Sequence, residues 1–461
     1  MSKNSLIGII ILGIILLVLV GGGLYLFVTK TNQGEDLIDS IGQKDETPDK
    51  SSEYYILYGR TENKITSTPN NENCKNFSFS DYLGAGIIDR HGKNNNFLSF
   101  KNHLTNYPSS KLATEYYYTS TTGNPKTDFS GFVYYDWNFT PNTLYHASPE
   151  IADDKEIKTA EGDLFPSDYK TSEDNKYLAY LITEKDTDLM MSNKINAYVS
   201  DSKLVLRNTI TGDELSVFDG EYNRQLFSSF NHFSQKQNYL YTIARDGESF
   251  KLVAVSLDNA SIKEFNTLFP KVDWSKINWS DLFEKPLGNP PHFYMSPDEK
   301  ILLVYKNKPA NEIIDDCYGC SRYTITAYNT ENGAVTTYDE GDGLVESMSW
   351  APDSSRFAYT NISYSSCYPG YLDAMIYRMD SSGKNKTELI TEKESKILRI
   401  GWSPDNKLIG YGVYSSDLIG WIKTIDPDSK KTANVISTKE TEGKIDTEYV
   451  ITLNFLDWVK K

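Results

Sequence analysis

Apolar positions are laid out in two distinct ways along this chain. From Leu6 to Val28 the sequence reads LIGIIILGIILLVLVGGGLYLFV, a run without a single charge. At 1.5 Å per residue such a stretch spans about 35 Å, enough for a hydrocarbon core of roughly 30 Å with some tilt. A cleaved signal peptide has a shorter apolar region and ends in small residues of the A-x-A type. Here the first alanine is Ala85. The pattern therefore predicts a single transmembrane α-helix over 6–28. Residues 1–5 are then a cytoplasmic tail, and residues 29–52, polar and rich in Asp, Glu, Lys and Gly, a flexible linker. A linker of that length has a typical reach of about 25–30 Å.

Over 53–461 the apolar residues come instead in short runs with a period of two, separated by Gly, Asn, Asp, Ser and Pro. That is the signature of strands with one buried face. The runs repeat. Met295-Ser-Pro-Asp-Glu-Lys-Ile-Leu302, Trp350-Ala-Pro-Asp-Ser-Ser-Arg-Phe357 and Trp402-Ser-Pro-Asp-Asn-Lys-Leu-Ile409 share one plan. Phe233-Ser-Gln-Lys-Gln-Asn-Tyr-Leu240 and Thr171-Ser-Glu-Asp-Asn-Lys-Tyr-Leu178 are weaker copies. Their second residues fall at 172, 234, 296, 351 and 403. Proline presets φ for the first turn position, and Asp or Ser satisfies free backbone amides there. Each copy thus predicts a strand, a tight turn and a second strand. A further hairpin signal follows each, as in Ile325-Thr-Ala-Tyr-Asn-Thr-Glu-Asn-Gly-Ala-Val335. Four strands per repeat is a propeller blade. The clear blades cover about 163–438. Upstream, Tyr54–Tyr58, Glu115–Tyr118 and Phe132–Tyr135 are candidate strands. Downstream, Tyr449–Trp458 reads as one more, and its pairing with Tyr54–Tyr58 would close the ring. The expected fold is all-β: a six- or seven-bladed β-propeller preceded by one transmembrane helix.

The pattern Trp-Ser-Pro-Asp followed by an apolar strand resembles the WD40-like repeat of the TolB-type propeller. It is also similar to the N-terminal propeller of dipeptidyl peptidase IV-like proteins. The glycine usual after Pro-Asp in that repeat is replaced here by Glu299, Ser354 and Asn406. The resemblance implies a ligand- or protein-binding platform.

Charge narrows the partners. The net charge is −16, and no basic run exceeds two residues, whereas nucleic-acid binding needs clustered cations to displace phosphate counterions. Nucleic acid is not an expected partner. The expected ones are the membrane, through residues 6–28, and a protein or peptide.

Four cysteines occur, Cys74, Cys317, Cys320 and Cys367. Cys317-Tyr-Gly-Cys320 has the spacing of a redox pair, half a zinc site or a structural disulfide. The five histidines offer no paired spacing to complete a zinc site. Cys320 and Cys367 fall between the second and third strands of adjacent repeats, where a bridge is feasible if their α-carbons approach within about 7 Å. All four are therefore candidate disulfide cysteines, with free thiols as the alternative. Asp339-Glu-Gly-Asp-Gly343 offers oxygen ligands but lacks a calcium loop's spacing, which favours an ordinary acidic turn. Trp274 and Trp279 flank an inserted segment and read as packing residues.

No catalytic, metal-binding or cofactor residue emerges. A complete prolyl-peptidase relative would carry G-x-S-x-G, and the sequence contains none. The expected function is that of a non-catalytic, membrane-tethered extracytoplasmic scaffold, with the N-terminus cytoplasmic and the propeller outside the cell membrane. The alternative is a hydrolase-type enzyme, or the accessory propeller of a peptidase or glycan-processing system.

Overall fold

The computed structural model describes, apart from short gaps, residues 54–99, 132–184, 202–274, 292–309, 321–364, 371–438 and 449–460. They form seven antiparallel sheets. The first contains β1 (Tyr54–Thr68), β2 (Asn71–Asp89) and β3 (Asn96–Ser99), and the second β4 (Phe132–Asp136), β5 (Asn142–Ala147) and β6 (Lys155–Ala160). The third comprises β7 (Leu164–Thr171), β8 (Tyr177–Glu184), β9 (Ser202–Asn208) and β10 (Glu214–Val217). In the fourth, β11 (Arg224–Phe233), β12 (Tyr239–Asp246), β13 (Ser249–Ser256) and β14 (Ile262–Glu264) lead into one helical turn, α1 (Phe265–Leu268). The fifth holds β15 (His292–Met295), β16 (Ile301–Pro309), β17 (Ser321–Asn329) and β18 (Val335–Asp342). Next come β19 (Met348–Trp350), β20 (Arg356–Tyr364), β21 (Tyr371–Asp380) and β22 (Thr387–Lys393) in the sixth. The seventh has β23 (Ser395–Trp402), β24 (Ile409–Ser415), β25 (Gly420–Ile425) and β26 (Thr432–Ser437). The last strand, β27 (Tyr449–Lys460), returns to the first sheet and pairs with β1, as expected from the sequence.

The core lies between sheets. One apolar cluster joins Leu206 and Val217 to Leu240 and Val255, across the third and fourth sheets. Others join Tyr241 to Leu302, Ile325 to Phe357, Ile376 to Ile409, and Ile422 to Phe455. From the third sheet round to the first, each sheet thus packs face to face on the next, the radial arrangement of a propeller. Within a sheet, burial falls from the inside out. The second strand β24 is buried over almost its whole length, because sheets cover both its faces, whereas the outermost strand β18 is exposed or half-buried throughout.

The repeated motif makes the turn between the first and second strands. In all five copies the N–H at 172, 234, 296, 351 or 403 donates to the carbonyl five residues on, at 2.8–2.9 Å. Where that residue is serine, its Oγ also accepts an N–H from within the turn, as at Ser296 and Ser403. The position after Pro-Asp takes a left-handed φ: 57° at Glu299, 61° at Ser354 and 64° at Asn406. Glycine adopts that conformation without a Cβ penalty. Here each side chain instead reaches the turn of the preceding sheet. Ser354 Oγ accepts the Asp298 N–H at 2.9 Å, and Asn406 Nδ2 donates to Asp353. Glu299 is buried; its carboxylate accepts from Ser234 Oγ and, at 2.9 Å, from Tyr241 Oη. The three side chains stitch neighbouring turns together along one end of the ring.

The closing strand lies on glycine. A Cβ on Gly401 would stand 2.7 Å from the Phe455 ring, and one on Gly412 2.9 Å from the Leu453 carbonyl oxygen; Gly410 lies against the same ring. Trp458 Nε1 donates to the Gly401 carbonyl at 2.8 Å, just as Trp350 Nε1 donates to Tyr294 at 3.0 Å. Both acceptors immediately precede the first residue of the neighbouring sheet's motif, Met295 or Trp402, so Trp458 takes the place that Trp350 has in its own copy.

Residues 1–53, which include the expected transmembrane helix 6–28 and linker 29–52, lie outside the described residues. Among the described residues, no helix is long and apolar enough to cross a membrane. The expected acidic turn at Asp339–Gly343 is corrected: Asp339–Asp342 belongs to β18, because it pairs with Arg322–Ile325 of β17. Asp339 Oδ2 accepts from the Tyr323 hydroxyl at 2.7 Å, from the Tyr359 hydroxyl and from Lys386 Nζ at 2.8 Å, which holds the carboxylate in the seam between sheets. Trp274 packs on Phe265, Phe269 and Tyr328, in keeping with its reading as a core residue, while Trp279 lies outside the described residues.

Candidate functional site: the channel face of the inner strands

Antiparallel order sorts the connections by end. Turns between first and second strands, and the hairpins between third and fourth, all lie at one end and are short. Connections between second and third strands, including 185–201, 310–320 and 365–370, leave from the opposite end. Tyr54 pairs with Lys460 at the short-turn end, so the chain enters the ring there. Of the four cysteines, Cys317, Cys320 and Cys367 fall outside the described residues, and Cys74 lies in β2. The strands flanking Cys320 and Cys367 are the second and third strands of the fifth and sixth sheets, which are adjacent.

The innermost strand β23 packs a neighbouring sheet on each side: Ile397, Ile400 and Trp402 cluster with the sixth sheet, and Gly401 lies against Phe455 of the first. In β23, Ser395, Ile397, Ile400 and Trp402 are buried, while Lys396, Leu398, Arg399 and Gly401 are half-buried. Strict alternation fails at Leu398 and Arg399 because of a bulge. Ile397 pairs with Val413 and Ile400 with Tyr411, leaving two residues opposite Gly412 alone. Bulges re-aim side chains and recur beside binding sites. The same break occurs on β7, where Asp168 and Tyr169 stand opposite Tyr180, and on β11, where Ser228–Asn231 stand opposite Thr242.

At the long-connection end, the segment leading into β19 meets the start of β23. Lys396 Nζ and Glu346 Oε1 pair at 2.6 Å, both largely shielded from solvent. Thr360 Oγ1 accepts the N–H groups of Glu346 and Ser347 at 3.2 and 3.1 Å and so fixes the chain entering β19. Ser347 Oγ in turn accepts the Ile400 N–H at 3.1 Å, and Ser349 Oγ the Trp402 N–H at 3.2 Å, which ties β23 to its neighbour just beyond the bulge. Deeper in, the rings of Tyr294 and Tyr305 stack with centroids 6.1 Å apart. Burial pushes the Tyr294 hydroxyl pKa up, while the nearby Arg399 charge and a hydrogen bond with the Met348 backbone pull against it. Burial also drives the Tyr305 hydroxyl well above its ordinary value. Both phenols are neutral at physiological pH and act as hydrogen-bonding groups.

Among the described residues no three His, Cys, Asp or Glu side chains converge as a metal site. The sequence singled out none of these channel residues. Glu346 and Lys396 are fifty positions apart, and a bulge carries no residue-type signature of its own.

No protein-family model matches this chain, and no curated protein sequence matches it. Among solved structures the chain is similar to TolB from Acinetobacter baumannii, at 14% identity and a TM-score of 0.38, over 88% of this chain and 83% of that one. It is similar to a 6-phosphogluconolactonase-type protein from Bacteroides fragilis, at 11% identity and a TM-score of 0.43, over 87% and 98%. It is also similar to oligogalacturonate lyase from Vibrio parahaemolyticus, at 12% identity and a TM-score of 0.39, over 82% and 85%.

Proposed function

We propose that this chain is a membrane-tethered, extracytoplasmic β-propeller that binds a protein or peptide partner and performs no catalysis of its own. One observation carries the reading: the chain enters the ring at the short-turn end, while the long connections leave from the other. The proposed tether, residues 6–28 with a linker over 29–52, joins the chain to β1 and not to any of the long connections. Loops held on a rigid scaffold are where binding surfaces concentrate. Cys320 and Cys367, borne on adjacent connections at that end, are proposed to form a disulfide that braces it, as suits an oxidising compartment.

The test is crosslinking in intact cells, followed by identification of what co-purifies with the detergent-solubilised full chain. A recurrent protein partner is expected. Recovery of none, together with turnover of a peptide or glycan by the purified protein, would overturn the proposal in favour of a hydrolase.

A further inference from the structure

The short-turn end carries lysines that the fold does not use. Five turns of the sixth, seventh and first sheets meet there: 351–356, 380–386, 403–408, 426–431 and 89–95. Arg378 Nη1 donates to the Pro427 carbonyl at 2.7 Å, which joins the sixth sheet to the seventh sheet's hairpin. The first sheet's hairpin abuts the seventh sheet so closely that a Cβ on Gly92 would stand 2.4 Å from the Val435 carbonyl oxygen. In a chain of net charge −16, these five turns hold eight basic residues against six acidic. The six acids are spent within the turns. Asp89, Asp380 and Asp426 each accept two backbone N–H groups of their own hairpin. Asp353 accepts the Ser355 N–H and Asp405 that of Lys407, while Asp428 is held by Arg356 and Arg378.

The lysines are not spent in this way. Lys93, Lys384, Lys430 and Lys431 are exposed, and among the described residues none of their ammonium groups has an ion pair or a hydrogen bond. Elsewhere lysines are engaged: Lys386 with Asp339, Lys396 with Glu346 and Lys423 with Glu392. Lys430 adds a second sign. It takes the left-handed position of its hairpin, with φ 59°, where Gly92, Gly212, Gly333 and Gly383 stand in four other sheets. Local folding favours glycine there, so the lysine is not explained by the turn itself. The same end also bears the most exposed large apolar side chain among the described residues, Ile210 at the tip of the β9–β10 hairpin, 74% exposed.

We propose that the short-turn end of the propeller docks on an anionic lipid surface, with Lys93, Lys384, Lys430 and Lys431 against the headgroups. This rests on the tethered reading above and adds to it an orientation of the ring. A bilayer is favoured as the occupant by where the chain enters. Tyr54 pairs with Lys460 at this end, and the apolar run 6–28 precedes it in sequence by only the segment 29–53. A tether of that length turns docking into an intramolecular event, so a few individually weak lysine–headgroup contacts suffice. An exposed isoleucine beside unpaired lysines also suits the boundary between headgroups and acyl chains. The overall negative charge does not forbid the contact. Screening over about 8 Å at physiological ionic strength leaves the facing end, not the distant acids, to set the interaction.

The test places the full chain in lipid nanodiscs of phosphatidylcholine, alone or mixed equally with phosphatidylglycerol. Lysine acetylation by sulfo-NHS acetate is then followed by peptide mass spectrometry. In the anionic discs Lys384, Lys430 and Lys431 should react slower by about threefold or more, and high salt should abolish the difference. Lys393, exposed at the opposite end of the sixth sheet, should react alike in both. Equal rates at the three lysines, or equal slowing at Lys393, overturns the proposal. In the variant K384Q/K430Q/K431Q the remaining Lys93 should lose its protection, and persistent protection would refute the role of the patch. If soluble polyglutamate protects the wild type in neutral discs as fully as anionic lipid does, the patch belongs to an acidic protein and the lipid assignment fails. Incorporation into discs without protection defeats this inference and leaves the tether standing. A chain that does not incorporate at all removes the tether and this inference with it.

Discussion

At the scale of single residues, the instructive positions are those where the repeat departs from its own rule. The left-handed φ after Pro-Asp disfavours a side chain by about 1–2 kcal/mol, yet Glu299, Ser354 and Asn406 all occupy it. The compensation is a contact with the neighbouring turn in every case. Its size differs. Ser354 contributes a single neutral hydrogen bond, worth about 1 kcal/mol, so Ser354→Gly should change stability by less than about 1 kcal/mol. Glu299 receives two hydroxyls from a buried position. Glu299→Ala leaves the Tyr241 hydroxyl without its acceptor and should destabilise by about 1–3 kcal/mol. Urea unfolding of the two variants checks the pair, and equal effects would show that the inter-turn contact at Glu299 contributes nothing special. The sequence disclosed that these positions lacked glycine but not why. The reason lies across the seam, some sixty residues away in the chain, where no local pattern reaches.

At the scale of elements, the strand-turn-strand unit was fully legible. Its period-two alternation and its Pro-Asp turn chemistry are local, and the five turns form as read. The pairing of β27 with β1 was legible too, because a strand one period past the last motif must find an edge. What that strand rests on was not. Gly401, Gly410 and Gly412 look like ordinary weak points of a strand, where glycine usually signals a bulge or a close approach. The close approach is the Phe455 ring. Gly410→Ala should therefore destabilise by about 1–3 kcal/mol through overpacking, and Phe455→Ala by about 3–5 kcal/mol through cavity formation. Because the two sites touch, the double variant should cost less than the sum. A double-mutant cycle measures this, and strict additivity would mean that the alanine is accommodated without meeting the ring.

At the scale of the whole molecule, the sequence settled the class of fold and left the blade number between six and seven; the described residues form seven sheets. The candidate site stayed hidden, since it depends on which residues of different sheets meet around an axis. The proposed topology makes a prediction of its own. Protein taken from membranes with its thiols blocked should show fewer than four reactive cysteines, and a bridged Cys320–Cys367 peptide by mass spectrometry of a non-reduced digest. Four free thiols would count against both the disulfide and the exported location.

The pairing of β1 with β27 also sets an order of events in biosynthesis. Tyr54 meets Lys460 across about four hundred residues, so β1 must wait, its inner edge unpaired, until nearly the whole domain has been made. Contacts of such sequence separation form late and slowly. Through that interval the waiting edge is open to strand addition from another chain, and a nascent propeller of this kind is most vulnerable to mispairing just before its final strand emerges.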